Sequence, residues 1–552
     1  MIAAQARRGS SLPKLAAAAI AALSLIPAAC GPREQASEPL ATPATTGVRS
    51  SVREFQAELG LIKATLKHNE ATFSGKTGEV SGFAAGSGYP QIWLRDAATI
   101  LPASRLFYDA PFLSSWLIEH LAFQKPDGGL EDWIDSRGRS DKNTTESDQE
   151  TSAVRAAAEI VRVLGPDWLK QTVSGMGVLE RLERALLWVV ENRLDPTHGL
   201  IKGAHTADWG DVDMNLPDQR AIYTDAGTHW TCDVYDQAQF YGAARALADL
   251  LEAGGAPERA GIWRERAATV KRNADRWLWQ EERGYFRVHV HLDTFKHGFD
   301  EDAIFPMGGN AEASLSGLAS DEQCGKIFAA AIARQDEFKI STIGGALLPP
   351  YPKGTFKHPM VDDPYEYQNG GQWDWFGAKL VRAMFERGSS RAARAKLLEI
   401  ASKNAANKGF YEWDTPDGRG RGSAFYSGSA GSLALALVEG YFGVVLGRDE
   451  LHLEPKLGED RGSVNIRIPA AGRFAAYEHV WDAEAKTLRF RFASDVGNPG
   501  TLKILLPAAL SEAKRLSVRL DGKKVDYQID RRDGDTFLIL ETDFLNHTLE
   551  VR

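Results

Sequence analysis

Twelve amphipathic segments, strung in pairs from residue 52 to residue 441, constrain this chain more than any other feature. Apolar residues recur at spacings of three and four, as in Ala238, Tyr241, Ala244 or Ala246, Leu247 and Leu250. That spacing places them on one face of a helix. The pattern predicts helices at about 52–70, 96–109, 112–125, 148–164, 177–193, 233–253, 258–279, 310–318, 320–334, 373–387, 390–405 and 425–441. Twelve alternating helices suit six inner and six outer members, an (α/α)6 toroid, over residues 51–445.

The period changes near residue 446. Ser463–Ile468, Thr487–Phe492 and the run from Leu516 to Val525 alternate polar and apolar residues. Asn498-Pro499-Gly500, Asp521-Gly522 and Asp533-Gly534 separate them as turn signals. The expectation for residues 446–552 is an all-β module of about eight short strands, a β-sandwich.

The first thirty residues have the composition of an export signal. Arg7, Arg8 and Lys14 supply positive charge, and the apolar run Leu15–Ile26 is too short to cross a bilayer comfortably. Ile26-Pro27-Ala28-Ala29-Cys30 resembles a bacterial lipoprotein cleavage site, with Cys30 as the lipid-bearing residue; the alternative is an ordinary secretory signal cut near Ala29. Residues 31–50, rich in Pro, Ala, Ser and Thr, read as a flexible tether. The mature protein is then exported, to the periplasm or outer membrane, and meets a membrane only through its anchor.

Charge and motifs narrow the chemistry. There are 65 Lys and Arg against 74 Asp and Glu, a net charge of −9, and no basic stripe for nucleic acid. Three cysteines give neither a disulfide framework nor metal-ligand spacing. No glycine-rich phosphate loop, Ser-His-Asp order or zinc motif is present, so no cofactor is expected. His289-Val290-His291 is metal-like, but no third ligand is identifiable, and no metal is expected.

The connections between helices are unequal. Those before the second, fourth, sixth, tenth and twelfth helices are long and rich in Trp, Asp, Glu, Asn and Gly. In a ring of alternating helices these all lie on one rim, where helix N-termini favour polar ligands. The segments are Ile92–Asp96, Lys142–Asp148, Ala207–Asp213, Tyr365–Trp373 and Gly409–Asp414. Each has a plain structural reading. Asp96 and Asp148 could be helix N-caps, Trp373 and Trp375 core residues, and Asp208, Asp211 and Asp213 an acidic turn or a calcium loop. Their coincidence on one rim is what those readings leave unexplained. Carboxylates among tryptophans suit hydrolysis of a glycosidic bond. That reaction needs one protonated carboxyl to assist the leaving oxygen and one ionised carboxylate to activate water, and an apolar wall raises the pKa of the acid.

These residues carry a resemblance to the six-hairpin glycosidases: glucoamylases, processing α-glucosidases, amylo-1,6-glucosidases and bacterial α-L-rhamnosidases. Trp93-Leu94-Arg95-Asp96 is similar to the Trp-x-Arg-Asp segment of glucoamylases, where Arg and Asp hold the terminal sugar. Asp208-Trp209-Gly210-Asp211 sits where these families keep a Trp beside the general acid. Asn369-Gly370-Gly371-Gln372-Trp373 resembles the Asn-Gly-Gly-x-Trp run of debranching enzymes. Tyr411-Glu412-Trp413-Asp414, followed by Phe425–Ala430, is similar to the general-base Glu and the small-residue stretch after it. The resemblance covers residues 52–445. It departs at the acid, where the paired Glu of glucoamylases is missing, so Asp211, Asp208 and Asp213 stay open. The rhamnosidase acid position holds Tyr89 or a neighbour, which is not a carboxylate. The resemblance implies an exo-acting, inverting glycoside hydrolase, α-glucosidase-like, acting on an oligosaccharide or polysaccharide. On that reading Asp211 is the first choice for the acid, Asp208 the second, and Glu412 the expected base. Trp93, Arg95, Asp96, Asp208, Trp209, Glu366, Asn369, Trp373 and Trp413 bind the sugar. The alternatives are a rhamnosidase-like six-hairpin enzyme and a non-catalytic sugar-binding lipoprotein.

Overall fold

Every helix expected from the periodicity is present in the computed structural model, which describes residues 40–552 apart from 41, 143–147, 216–223 and 225. The expected signal segment, Cys30 and half of the expected tether lie outside the described residues, as does most of the Lys142–Asp148 segment. The helices are α1 (Arg53–His68), α2 (Leu94–Ser104), α3 (Ala110–Ala122), α4 (Asp148–Leu164), α5 (Val178–Arg193), α6 (Val234–Ala253), α7 (Pro257–Trp277), α8 (Met307–Ser316), α9 (Asp321–Phe338), the single turn α10 (Pro359–Asp362), α11 (Asp374–Glu386), α12 (Ser390–Asn407) and α13 (Ser427–Ala434).

Six of them form a closed ring. α2 packs on α4, α4 on α6, α6 on α8, α8 on α11, α11 on α13, and α13 returns to α2. The composition of these helices explains their place. α13 and the core-facing stretch of α11 are buried on every side, whereas α7 buries only one stripe, through Ala260, Trp263, Ala267, Val270 and Ala274. A helix apolar all round belongs inside, and one with a single stripe belongs outside. The ring closes through small residues. α13 reads Ser-Gly-Ser-Ala-Gly-Ser-Leu-Ala, and a Cβ on Gly431 would lie 2.0 Å from the Thr99 carbonyl oxygen of α2.

The C-terminal part is built from two sheets. Seven antiparallel strands run in the order Gly47–Ser50, Gly462–Ile468, Arg473–Asp482, Thr487–Ser494, Asn546–Val551, Val518–Leu520 and Lys523–Lys524. Five more run Val444–Leu446, Leu451–Leu453, Gly500–Leu505, Asp535–Thr542 and Gln528–Arg532. The expected turns are there. Asp521-Gly522 and Asp533-Gly534 both have positive φ, and Leu520 pairs with Lys523 and Arg532 with Asp535 across them. These are the two-residue hairpins that Asp-Gly favours.

Two boundaries differ from expectation. The tether ends earlier than residue 50, because Gly47–Ser50 is a strand paired with Gly462–Asn465, and Thr46 Oγ1 donates to the Arg467 carbonyl at 3.0 Å. The change at residue 446 is a change of secondary structure and not a gap in packing, since Leu40–Arg552 forms one compact unit. Asp460 ties the two parts together, accepting from Arg394 Nη2 at 2.9 Å and from Tyr441 OH at 2.7 Å.

At the C-terminal ends of ring helices lies a buried charge cluster. α13 continues into a π-helical turn, Leu435–Tyr441, which carries Glu439. Its carboxylate accepts from Arg105, just past α2, and pairs with Arg382 of α11 at 3.1 Å and Arg162 of α4 at 3.6 Å. Burial alone would raise Glu439, but the three guanidinium groups hold it down to about 2. Removing a buried carboxylate shared by three cations is costly. Glu439→Gln is expected to lower unfolding free energy by about 3–5 kcal/mol, read by urea denaturation. The carboxylate's contribution is present above about pH 4 and is lost as pH falls towards about 2. A loss below about 1 kcal/mol would put the cluster in the class of surface pairs.

Candidate active site

A cavity of about 340 Å³ opens where the N-terminal ends of α2, α11 and α13 meet. Its aromatic wall is Tyr89, Trp93, Trp209, Tyr367, Trp373 and Tyr426, and its carboxylates are Asp96, Asp211 and Glu412. Trp93, Arg95, Asp96, Trp209, Asp211, Trp373 and Glu412, all singled out from the sequence, line it together.

The first turn of α2 supplies Arg95 and Asp96. Trp93 is the N-cap residue, so Asp96 is not a cap. Asp96 is buried and accepts from Tyr426 OH at 3.0 Å. Burial raises its pKa to about 6, with Arg95 and the Tyr426 hydroxyl opposing the shift. Arg95 reaches outward from the same turn. It donates through Nη2 to Asp211 Oδ1 at 2.9 Å and through Nη1 to Asp148 Oδ2 at 3.2 Å. Its guanidinium also lies 5.4 Å from the ring centre of Trp375 and 5.9 Å from that of Trp209. Asp148, the first residue of α4, accepts from Tyr235 OH as well, at 3.0 Å.

The Ala207–Asp213 loop separates its three aspartates. Asp211 faces the cavity, where Gln368 Nε2 donates to Oδ2 at 3.0 Å and Gln368 Oε1 accepts from the Asp211 amide at 3.2 Å. Asp213 turns back into its own loop, accepting from the Asn215 amide at 2.7 Å and the His229 amide at 3.3 Å. Asp208 has left-handed backbone, φ 56°, and its fully buried carboxyl accepts from the Gly309 amide of α8 at 3.1 Å. Gly308 is what allows this approach. A Cβ there would lie 2.0 Å from Trp209 Cδ1 and 2.8 Å from Asp208 Oδ2.

Glu412 owes its aim to a break in a hairpin. Tyr411–Asp414 pairs with Gly420–Ala424, and the register shifts between Tyr411 and Trp413, at Glu412 itself. Such a bulge re-aims a side chain. Tyr89 OH donates to Glu412 Oε1 at 2.6 Å and the Ser423 amide to Oε2 at 2.9 Å. Gly422, at φ 68°, leaves room, since a Cβ there would lie 2.5 Å from Oε2. Burial raises the Glu412 pKa, against the pull of these two donors.

Four expected sugar-binding residues do not line the cavity. Asp208 is held under α8 by the amide of its first turn. Glu366 is exposed in a tight turn, bridged to Asn369. Asn369 is fully buried and clamps Tyr351, accepting from its amide at 2.8 Å and donating to its carbonyl at 3.1 Å. That clamp fixes the turn that aims Gln368 and Tyr367. Trp413 follows the bulge and packs over Gly371. In their place the cavity takes Tyr89, Tyr367, Gln368, His358, Met360 and Tyr426. Gln368 and Tyr367 stood inside a segment already singled out. His358 and Met360 carried no signal, because only the fold brings their loop over the cavity.

The fold brings to His291 the further candidate metal ligands that the sequence alone does not identify. His205, His297 and Glu301 converge on it, with all four ligand atoms within 4.8 Å of one another. They come from segments almost a hundred residues apart, which no local spacing could reveal.

Comparison with known proteins supports the fold and is silent on sequence. No family model matches the chain, and no curated protein matches it. Among solved structures, the GH78 family rhamnosidase of Bacillus sp. GL1 matches with a TM-score of 0.56 at 14% identity, over 83% of this chain and 42% of that one. The α-L-rhamnosidase from Dictyoglumus thermophilum matches with a TM-score of 0.59 at 11% identity, over 93% and 51%. The GH63 mannosylglycerate hydrolase from Thermus thermophilus, in complex with glucose, matches with a TM-score of 0.50 at 19% identity, over 68% and 98%. The chain thus spans about half or less of the two rhamnosidase chains and nearly all of the GH63 chain. At these identities the likeness is one of fold.

Asp208 gives the loop a measurable signature. Burial raises its pKa to about 8, while the α8 amides pull the other way. An unfolded aspartate titrates near about 4. Between these values the folded protein holds a proton that the unfolded chain has lost. The contribution to stability is complete below about pH 4 and drains away as pH rises towards 8. Asp208→Asn keeps an oxygen for Gly309 and has nothing to ionise. It is expected to flatten the fall in melting temperature between about pH 5 and 8. The same slope in variant and wild type would place that titration elsewhere.

Proposed function

We propose that this protein is an exported, exo-acting glycoside hydrolase of α-glucosidase-like specificity, working by single displacement with inversion on an (α/α)6 toroid. The observation that carries the reading is that Asp211 and Glu412, delivered by separate loops, face one aromatic-walled cavity. The closed ring of six helices supports the toroid, with residues 51–445 as the catalytic part and 446–552 as a β-sandwich. The cavity volume is at the small end of ligand sites, about 300–1,000 Å³, which suits a terminal sugar better than the middle of a polymer. The like-folded neighbours are glycosidases, and one holds glucose. Arg95 and Asp96 together favour a glucoside. Tyr89, where a rhamnosidase would carry its acid, is a hydroxyl that serves Glu412. Export and lipidation at Cys30 rest on the sequence.

The chemistry follows from the two carboxyls. Glu412 takes a proton from a water whose oxygen attacks the anomeric carbon. Asp211 gives a proton to the departing glycosidic oxygen, and the C–O bond breaks to leave a hemiacetal of inverted configuration and an alcohol. Asp96 accepts hydrogen bonds from sugar hydroxyls. Because Arg95 is paired with Asp211, the acid role requires the bound sugar to draw the guanidinium away from it. A second reading exchanges the roles. The ion pair with Arg95 suits Asp211 as the carboxylate, and burial favours Glu412 as the acid.

Leaving groups decide between the two. Asp211→Asn is expected to lower turnover of natural glycosides by about 10²–10⁴ and that of glycosyl fluorides far less, because a good leaving group needs little protonation. Glu412→Gln is expected to lower both alike. The reverse pattern exchanges the roles. Proton NMR of the first product reads inversion directly. A folded wild-type protein that turns over nothing in a panel of α-glucosides, α-rhamnosides and aryl glycosides would be a sugar-binding protein.

Asp96 sets a pH limit. Below about pH 6 it is protonated and no longer a full acceptor, so kcat/KM is expected to fall as pH drops through that value. Asp96→Asn keeps the acceptor for Tyr426 and should lose most turnover with an unchanged melting temperature. Unchanged turnover would make Asp96 a packing residue.

A further inference from the structure

Next to the loop that carries Asp211, four histidines gather around Glu301, and a fifth, His229, joins them through His291. His205 precedes the loop, and His229 lies just before strand Trp230–Asp233. His289 and His291 belong to strand His289–His291, while His297 and Glu301 come from the connection to α8. Strand Trp230–Asp233 pairs with strand Gly203–Ala204 on one side and His289–His291 on the other. The sheet therefore holds three of these segments rigidly.

The contacts are those of a coordination shell. His205 Nε2 and His297 Nε2 are 3.0 Å apart. Each lies close to Glu301 Oε1, at 3.2 and 3.3 Å. That triangle matches one face of a zinc tetrahedron, whose edges are about 3.3–3.4 Å for bonds of about 2.0–2.1 Å. His291 Nε2 approaches from the fourth side, 2.6 Å from Glu301 Oε2. Hydrogen bonds alone fit poorly here. Oε1 is also approached by Tyr351 OH at 2.6 Å and His289 Nδ1 at 3.1 Å, which makes four neighbours around one oxygen. A carboxylate oxygen has two lone-pair directions. Four protons cannot all point along them.

The surroundings orient the ligands. His291 Nδ1 lies 2.8 Å from His229 Nε2, and His229 Nδ1 lies 2.9 Å from Asp293 Oδ2. Read from the carboxylate, one arrangement of protons satisfies the chain: His229 donates to Asp293, and His291 donates to His229. That leaves the His291 Nε2 lone pair directed at the cluster. Such a carboxylate–histidine relay is how proteins fix a metal-binding imidazole. Phe295, Phe299, Tyr351 and Phe356 close an aromatic shell around it.

From this the geometry points to a new site: His205, His291, His297 and Glu301 bind one divalent transition metal, zinc by ligand type, in a four-coordinate structural centre. Three imidazoles and one carboxylate select zinc-like ions over magnesium or calcium, which take oxygen ligands. All four positions are filled by protein, so the centre is structural. Its mechanical effect falls on the acid loop. The Met214 amide donates to the His205 carbonyl at 2.9 Å, which joins the two ends of residues 205–214. Metal at His205 anchors that closure to the α8 connection through Glu301.

Cobalt(II) reports four-coordinate sites by intense visible bands. The full chain without an affinity tag, stripped with a strong chelator and dialysed, is titrated with cobalt(II). The expected result is one equivalent bound with four-coordinate bands, bleached by one equivalent of zinc but not by calcium, and a higher melting temperature for the zinc form than for the stripped form. The bands should be lost in His297→Ala and in His291→Ala, each with an unchanged far-ultraviolet circular dichroism spectrum. Weak six-coordinate bands, or less than one tenth of an equivalent of zinc after dialysis of the wild type, would overturn the proposal. Four-coordinate bands that survive in both variants would place the metal elsewhere and overturn it equally. The wild-type titration decides even if a variant fails to fold.

Discussion

The mouth of the ring is organised by one buried cation. Arg95 sits in the first turn of α2, where the helix dipole is already positive, and is surrounded by rings that exclude water. A charge in that position must be matched, and two carboxylates from different parts of the chain match it. Asp148 brings the start of α4 to α2, and Asp211 brings the loop before α6. Once those are placed, Gln368 finds both polar ends of Asp211, and the clamp at Asn369 follows. The guanidinium is thereby matched before any ligand arrives.

The same helices meet different demands at their two ends. At the N-terminal ends polar groups are left facing a cavity. At the C-terminal ends of α2, α4 and α11 three arginines converge on the buried Glu439. The π-helical turn matters here, because its extra residue per turn carries Glu439 round to meet the three arginines. The two ends thus differ in sign: Glu439 is held below the usual carboxylate range, while Asp96 and Glu412 are raised above it.

How much was legible in the sequence depended on the range of the interaction. Helices were legible because their signal is local and repeated, and the two Asp-Gly turns because their chemistry fits in two residues. The carboxylates of the cavity were legible as a set, since each stands close in sequence to a tryptophan: Asp96 to Trp93, Asp211 to Trp209 and Glu412 to Trp413. Which aspartate of Asp208, Asp211 and Asp213 faces the cavity was not. That choice is made by a left-handed residue and by a glycine pair in α8, a hundred positions away. Asn369 and Glu366 misled for a related reason: a tight turn needs polar residues whether or not a sugar is near. The histidine cluster was invisible because a three-stranded sheet, absent from any local pattern, assembles it.

The strand Gly47–Ser50 has a consequence for how the molecule comes into being. It is among the first described segments to be synthesised, and its partner, Gly462–Ile468, is among the last. The ring shows the same delay, since α2 waits for α13, and Asn69 at the end of α1 waits for Ser427, to which its side chain donates at 2.8 Å. A nascent chain on the ribosome therefore carries an unpaired edge and an open arc of helices through most of its translation. Neither the ring nor the first sheet can close until the final quarter of the protein emerges, so closure comes late and joins the beginning of the chain to its end in one step.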